Sequence, residues 1–130
     1  MKHTRFTAAI VSASALLLGA GVLTGCSTTP PTSAGEYSTV GRKLKSTQDA
    51  SLEKAFEAAK GAMGDLQFTL KEDRKDALAG VVKAERADKT PVTIELTKIT
   101  DKTTEVSIQV GTLGDEALSR TILDKLKARL

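Results

Sequence analysis

Few residues of this 130-residue chain could do covalent chemistry, and their positions narrow the choice sharply. The single cysteine, Cys26, and the single histidine, His3, both lie near the N-terminus. Beyond Cys26 there is no imidazole and no thiol, which leaves no His-based triad, no Cys–His dyad and none of the usual zinc sets. The carboxylates offer three pairs, Asp73/Asp76, Asp115/Glu116 and Glu95/Glu105. Carboxylate catalysis needs two acids held in a cleft with their pKa values pushed apart. These acids stand instead among cations, as in Lys71-Glu72-Asp73-Arg74-Lys75-Asp76, the pattern of a solvated face. The Asp73–Asp76 stretch also lacks calcium-loop spacing. Gly111-Thr112-Leu113-Gly114 could set backbone amides at a helix N-terminus, where anions bind. A phosphate there would meet Asp115 and Glu116, so the glycines are read as a tight strand-to-helix turn. No phosphate-loop or dinucleotide glycine pattern occurs. The sequence therefore predicts no catalytic residue, no cofactor and no metal.

Cys26 differs because of what precedes it. The chain opens Met1-Lys2-His3-Thr4-Arg5-Phe6 and continues as an apolar run from about Ala8 to Leu23. A basic start, a short apolar stretch and small residues at a cut site form the layout of a secretory signal. A retained transmembrane helix needs about 20 apolar residues, and this run is shorter and broken by Ser12, Ser14, Gly19 and Gly21. A plain secretory signal with an incidental cysteine is the other reading. Leu23-Thr24-Gly25-Cys26 resembles the lipobox of bacterial lipoproteins. The resemblance implies a diacylglycerol on the Cys26 sulfur, cleavage before Cys26 and a mature chain anchored by lipid at its new N-terminus. Ser27 in the next position implies an outer-membrane destination facing the periplasm where the organism has two membranes.

The expected division is a signal peptide over 1–25, a lipidated N-terminus and tether over 26–35, and one domain over 36–130. The mature 105 residues suffice for a single small domain. Without Lys2 and Arg5, 17 basic residues face 16 acidic ones, so most of the formal +3 belongs to the discarded peptide. Interleaved charge of this kind lacks the electrostatic footprint of a nucleic-acid binder. With Cys26 lipidated, no thiol remains for a disulfide, and the domain must rely on its core. The stretch Ser27-Thr28-Thr29-Pro30-Pro31-Thr32-Ser33-Ala34-Gly35 has linker composition. Its nine residues reach roughly 30 Å when extended.

Element signals begin after Gly35. Glu36–Ser46 alternates weakly and predicts one strand, with Tyr37, Val40 and Leu44 inward and Gly41 as a bend. Thr47–Ser51 supplies helix-start chemistry, with Asp49 or Ser51 as cap. Leu52, Ala55, Phe56, Ala59, Met63 and Leu66 then form one helical stripe, with Gly64 as a terminator. From Phe68 the period falls to two. Phe68/Leu70, a run over Leu78–Ala84 with Val81 or Val82 inward, Val92/Ile94/Leu96 and Val106/Ile108/Val110 mark four strands buried on one face. The breaks at 73–76, 85–90 and 100–103 are short and polar, as in hairpins. Asp115 predicts the cap of a last helix bearing Leu118, Ile122 and Leu126, widened by Leu123 and Leu130.

The predicted order is β-α-β-β-β-β-α. Two helices with one apolar stripe each and an antiparallel sheet with one apolar face are satisfied by a two-layer α+β sandwich, both helices on one face. That order resembles the TATA-box-binding-protein-like or helix-grip-like topology, also seen in some outer-membrane assembly lipoproteins. At the level of sequence, Leu44–Leu52 and Val106–Arg120 resemble a family of small bacterial lipoproteins, domain-of-unknown-function family 3568. The resemblance implies a lipoprotein with one α+β domain and contributes no catalytic residue. The resulting expectation is a non-catalytic envelope module, bound to the membrane through its N-terminal lipid and to an envelope protein partner. The alternative is a carrier or sensor of a small apolar ligand held between helices and sheet, where the many alanines could leave room.

Overall fold

A computed structural model describes residues 35–130. The predicted signal peptide, the lipobox Leu23–Cys26 and the tether up to residue 34 lie outside the described residues. The described chain runs β1 (Glu36–Ser38), β2 (Lys43–Gln48), α1 (Leu52–Asp65), β3 (Thr69–Lys75), β4 (Ala79–Glu85), β5 (Pro91–Thr100), β6 (Thr103–Val110) and α2 (Glu116–Lys127). The strands form one antiparallel sheet in the order β1-β2-β6-β5-β4-β3. The class is α+β, as the patterning predicts, with one strand more than expected.

The extra strand comes from splitting the first one. Glu36–Ser46 does not run straight: a turn at 39–42 folds β1 back on β2, so Tyr37 pairs with Leu44. Arg42 takes a left-handed backbone with φ 51°, and Gly41 N–H lies 3.4 Å from Ser38 Oγ. Tyr37 and Leu44 face the core as predicted, but Val40 sits at the turn tip, 97% exposed. Thr47 and Gln48 belong to β2 rather than to a helix start.

Of the two candidate caps, Ser51 starts α1: its hydroxyl accepts from Lys54 N–H at 3.3 Å. The predicted stripe is buried except at Leu66, which is partly exposed, and Ala58 and Ala62 join it. Gly64 does not end the helix. Leu66 is the C-cap, and Gln67 follows with φ 57°. Gln67 N–H donates to Gly64 O and Phe68 N–H to Met63 O, the paired bonds of a Schellman ending.

The β4, β5 and β6 patterns fold as read, with Val82 rather than Val81 inward. Strand β3 departs. The polar stretch 73–76 is not a hairpin break, since β3 continues to Lys75. A register shift between Leu70 and Glu72 is the cause. Beyond this bulge Asp73 and Lys75 pair with Val82 and Gly80 and share their face. There they meet α1, through Asp73–Lys60 at 3.2 Å and Lys75–Glu53. Leu70 is 42% exposed at this sheet edge, and Leu78 falls in the turn before β4, 68% exposed. A strand so charged on its outer edge is a poor template for another strand.

The core lies between the sheet's inner face and the two helices. Leu44, Val82, Val92, Ile94, Leu96, Val106, Ile108 and Val110 meet Leu52, Ala55, Phe56, Ala59 and Met63 of α1 and Ile122, Leu123 and Leu126 of α2. All are essentially buried, and all lie within residues 44–126. Alanines on α1 let it approach the sheet closely, and Gly80 makes room for the Phe56 ring. Lys60 and Lys75 flank that ring at 5.5 and 5.6 Å from its centroid. Arg129 ties the two helices together with a forked contact to Asp65, at 2.8 and 2.5 Å.

Candidate functional site

With both helices on one side, the other side of the sheet is left uncovered within residues 35–130. Strand alternation decides what it displays. Lys43, Lys45 and Thr47 come from β2, Glu105, Ser107 and Gln109 from β6, and Thr93, Glu95 and Thr97 from β5. Val81 and Lys83 on β4 and Glu72 and Arg74 on β3 extend the surface.

The predicted acid pair Glu95/Glu105 lies here. The two are diagonal neighbours, since Glu95 pairs with Ser107 and Glu105 with Thr97. Each has its own cation: Lys43 Nζ donates to Glu95 at 2.7 Å and Lys45 to Glu105 at 3.4 Å. Both pairs link β2 side chains to their acids, and the first reaches across β6 to β5. Ser107, in the strand between, is only 7% exposed, and its Oγ has no hydrogen-bond partner. Alternation predicted its outward direction, but its burial depends on this arch of long side chains. Farther along, Lys83 donates to Glu72 at 2.8 Å, and that bond holds the Glu72 carboxyl below its ordinary pKa. The face is thus a grid of paired charges and hydroxyls.

The other predicted acid pairs do not converge. Asp73 faces α1, whereas Asp76 turns into its own loop and accepts from Leu78 and Ala79 N–H at 2.7 and 2.8 Å. Those backbone bonds lower the Asp76 pKa. Asp115 caps α2 by accepting from Leu118 N–H at 2.9 Å, and Glu116 pairs with Arg120 at 2.7 Å, as the four-residue spacing predicts. Ser119 is buried and donates to Asp115 O at 2.6 Å. Gly111 and Gly114 take φ values of 63° and 74°. A Cβ at Gly114 would meet the Tyr37 hydroxyl at 2.4 Å and Arg42 Cβ at 2.7 Å. The glycines therefore serve a tight turn, and the α2 N-terminus is filled by its own carboxylate.

Open clefts lie at the ends of the sheet. One of about 430 Å³ is lined by the 86–91 and 110–115 loops, one of about 360 Å³ by the β3–β4 hairpin, and one of about 250 Å³ by the start of α1 with the 75–77 and 98–101 segments. Among the described residues no cluster of His, Cys, Asp and Glu could hold a metal ion. Among them, too, no helix is long and apolar enough to cross a membrane.

The family model described as Protein of unknown function (DUF3568) matches residues 4–129. The chain belongs to the DUF3568 family. The matched span takes in the apolar run and Cys26 as well as the described domain. Among curated proteins none matches the DUF3568 chain. Among solved structures it is similar to the di-domain ARO/CYC StfQ from the steffimycin biosynthetic pathway, with 18% identity and a TM-score of 0.33. That likeness covers 67% of the DUF3568 chain and only 42% of the other.

Proposed function

We propose that this protein is a lipid-anchored component of a bacterial cell envelope whose domain works by binding a partner, not by turnover. The observation that carries the reading is the sole cysteine, placed at the end of Leu23-Thr24-Gly25-Cys26 behind a basic start and an apolar run. Lipidation there would place the domain in the envelope, on the periplasmic side of the outer membrane where two membranes exist. The nine residues between Cys26 and β1 would hold it within roughly 30 Å of the headgroups.

Binding is favoured over catalysis by the arrangement of the acids. Glu95, Glu105, Glu72, Asp73 and Glu116 each sit beside a cation. Binding at a surface is favoured over carrying an apolar ligand because the clefts open at the ends of the sheet among charged loops. The uncovered grid of Lys43, Lys45, Glu95, Glu105, Thr93 and Thr97 supplies a partner-facing surface for an envelope protein of complementary polar character. A membrane-held domain meets membrane-bound partners at high effective concentration, so a weak interface suffices.

Complementation of a deletion strain tests this. A secreted, untethered 35–130 domain is expected to rescue poorly, and Glu95→Gln or Glu105→Gln in the anchored protein to be mild. Full rescue by the untethered domain rejects the tether. Complete loss of function from one of those carboxylates, with folding intact, replaces binding by catalysis.

A further inference from the structure

Among the described residues, five large apolar side chains are exposed, and the two most exposed are Val40 at 97% and Leu113 at 77%. They belong to segments 70 residues apart in sequence that the sheet brings together. Val40 tips the β1–β2 turn, and Leu113 lies in the loop between β6 and α2. Arg42 Nη1 donates to Thr112 O at 3.3 Å, and Gly114 presses against Arg42. The 86–90 turn stands beside the same loop, across the 430 Å³ cleft. It adds Arg86 and Lys89. Both stand in ion pairs, Arg86 with Asp88 at 3.5 Å and Lys89 with Glu85 at 3.2 Å, while Asp115 caps α2 and, among the described residues, the Arg42 guanidinium donates only to a backbone carbonyl.

The opposite end also shows apolar residues, Leu78 at 68% and Ile99 at 57%. There Asp101 stands out 90% exposed in a pair with Lys98, and Asp76, tied into its own loop by backbone bonds, adds an acid that no cation among the described residues matches. Leu70 stands alone on the β3 edge.

We propose that the end formed by the β1–β2 turn and the β6–α2 loop rests on a lipid surface, with Val40 and Leu113 entering the interface and Arg42, Arg86 and Lys89 at headgroup level. This builds on the reading that Cys26 anchors the chain, because two short side chains alone bind membranes only marginally. The tether makes the contact effective. Val40 lies five residues past Gly35, at most ~17 Å of extended chain, while the segment back to Cys26 reaches ~30 Å. Cys26 and Val40 can therefore share one membrane plane, and a weak contact is held at high effective concentration. The polar sheet face would then stand away from the membrane, side-on to a partner.

The test replaces the natural anchor, so that it does not depend on acylation. Among the described residues the core runs from Leu44 to Leu126 and closes between sheet and helices, so the test uses the 35–130 fragment, which contains no cysteine. With an N-terminal hexahistidine it is held on vesicles of phosphatidylethanolamine and phosphatidylglycerol doped with a nickel-chelating lipid. Val40→Cys, Leu113→Cys and, as control, Leu78→Cys are labelled with an environment-sensitive fluorophore. Probes at 40 and 113 are expected to shift to the blue and lose emission to brominated acyl chains, while the probe at 78 does neither. Unshifted probes at 40 or 113, or equal quenching at 78, overturn the proposal. Absence of lipid on Cys26 in cells, with the tip still quenched on vesicles, rejects the anchor and leaves the tip standing.

Discussion

Gln67 holds a left-handed backbone that glycine would hold at lower cost. Replacing Gln67→Gly at this Schellman position is expected to raise stability by about 0.5–1 kcal/mol in urea melts. Gly80 is the converse case. A Cβ there would lie 2.9 Å from Phe56 Cδ2, and that ring is 5% exposed and boxed in by α1 and two lysines. Gly80→Ala is therefore expected to cost about 1–3 kcal/mol by overpacking. Ser107→Ala removes a buried hydroxyl that has no partner, and should be neutral or stabilising by up to about 1 kcal/mol. A loss larger than that would show that the hydroxyl is engaged. Neither Gln67 nor Ser107 was legible in the sequence. A helix that could end at Gly64 runs on because residues 63–68 close their own hydrogen bonds, and the cover over Ser107 comes from lysines on a strand some 60 residues earlier.

At the scale of elements, alternation decided most of the outcome. Ile94 and Ile108 are fully buried, as the period-two pattern requires. Ile94→Ala is expected to cost about 2–5 kcal/mol, whereas Thr93→Ala on the uncovered face should stay within about 0.5 kcal/mol. Urea midpoints of the 35–130 domain decide between them, and reversed sensitivities would mean a register error of one residue. Helix stripes, caps at Ser51 and Asp115, and strands β5 and β6 were readable because each has a strong local pattern. Strand β3 was not, because its bulge swaps the faces midway and its inward residues, Asp73 and Lys75, satisfy themselves on Lys60 and Glu53 of α1. The β1–β2 hairpin was also hidden. Its turn has one glycine, and it depends on Arg42 accepting a positive φ. A pair of turn glycines would have announced it.

At the scale of the molecule, the two-layer architecture was legible because three one-sided apolar surfaces have few ways to cover one another. The charge grid on the uncovered face was not, because it depends on how charges from distant strands are set side by side. Those charges predict an acid limb in stability. Hydrogen bonds from Arg129, Lys83, Lys89 and Lys98 lower the pKa of Asp65, Glu72, Glu85 and Asp101, and bonds from Thr90 lower that of Asp88. Their folded values lie below the ordinary 3.8 and 4.5, so the unfolded chain takes up protons first as pH falls. The stability they confer is complete above those ordinary values and drains as pH falls through the folded ones. With no histidine after His3, a thermal-melt series from ~8 to ~3 should be flat near neutrality and decline only on the acid side.

The proposed lipid anchor is tested most directly at the N-terminus of the protein as cells make it. Intact-mass and N-terminal peptide analysis of the protein extracted from membranes is expected to show Cys26 as the first residue, carrying diacylglycerol on sulfur, with Cys26→Ser abolishing both cleavage there and palmitate incorporation. An unmodified Cys26 within a longer chain, or equal palmitate labelling of the Cys26→Ser protein, would rule the anchor out.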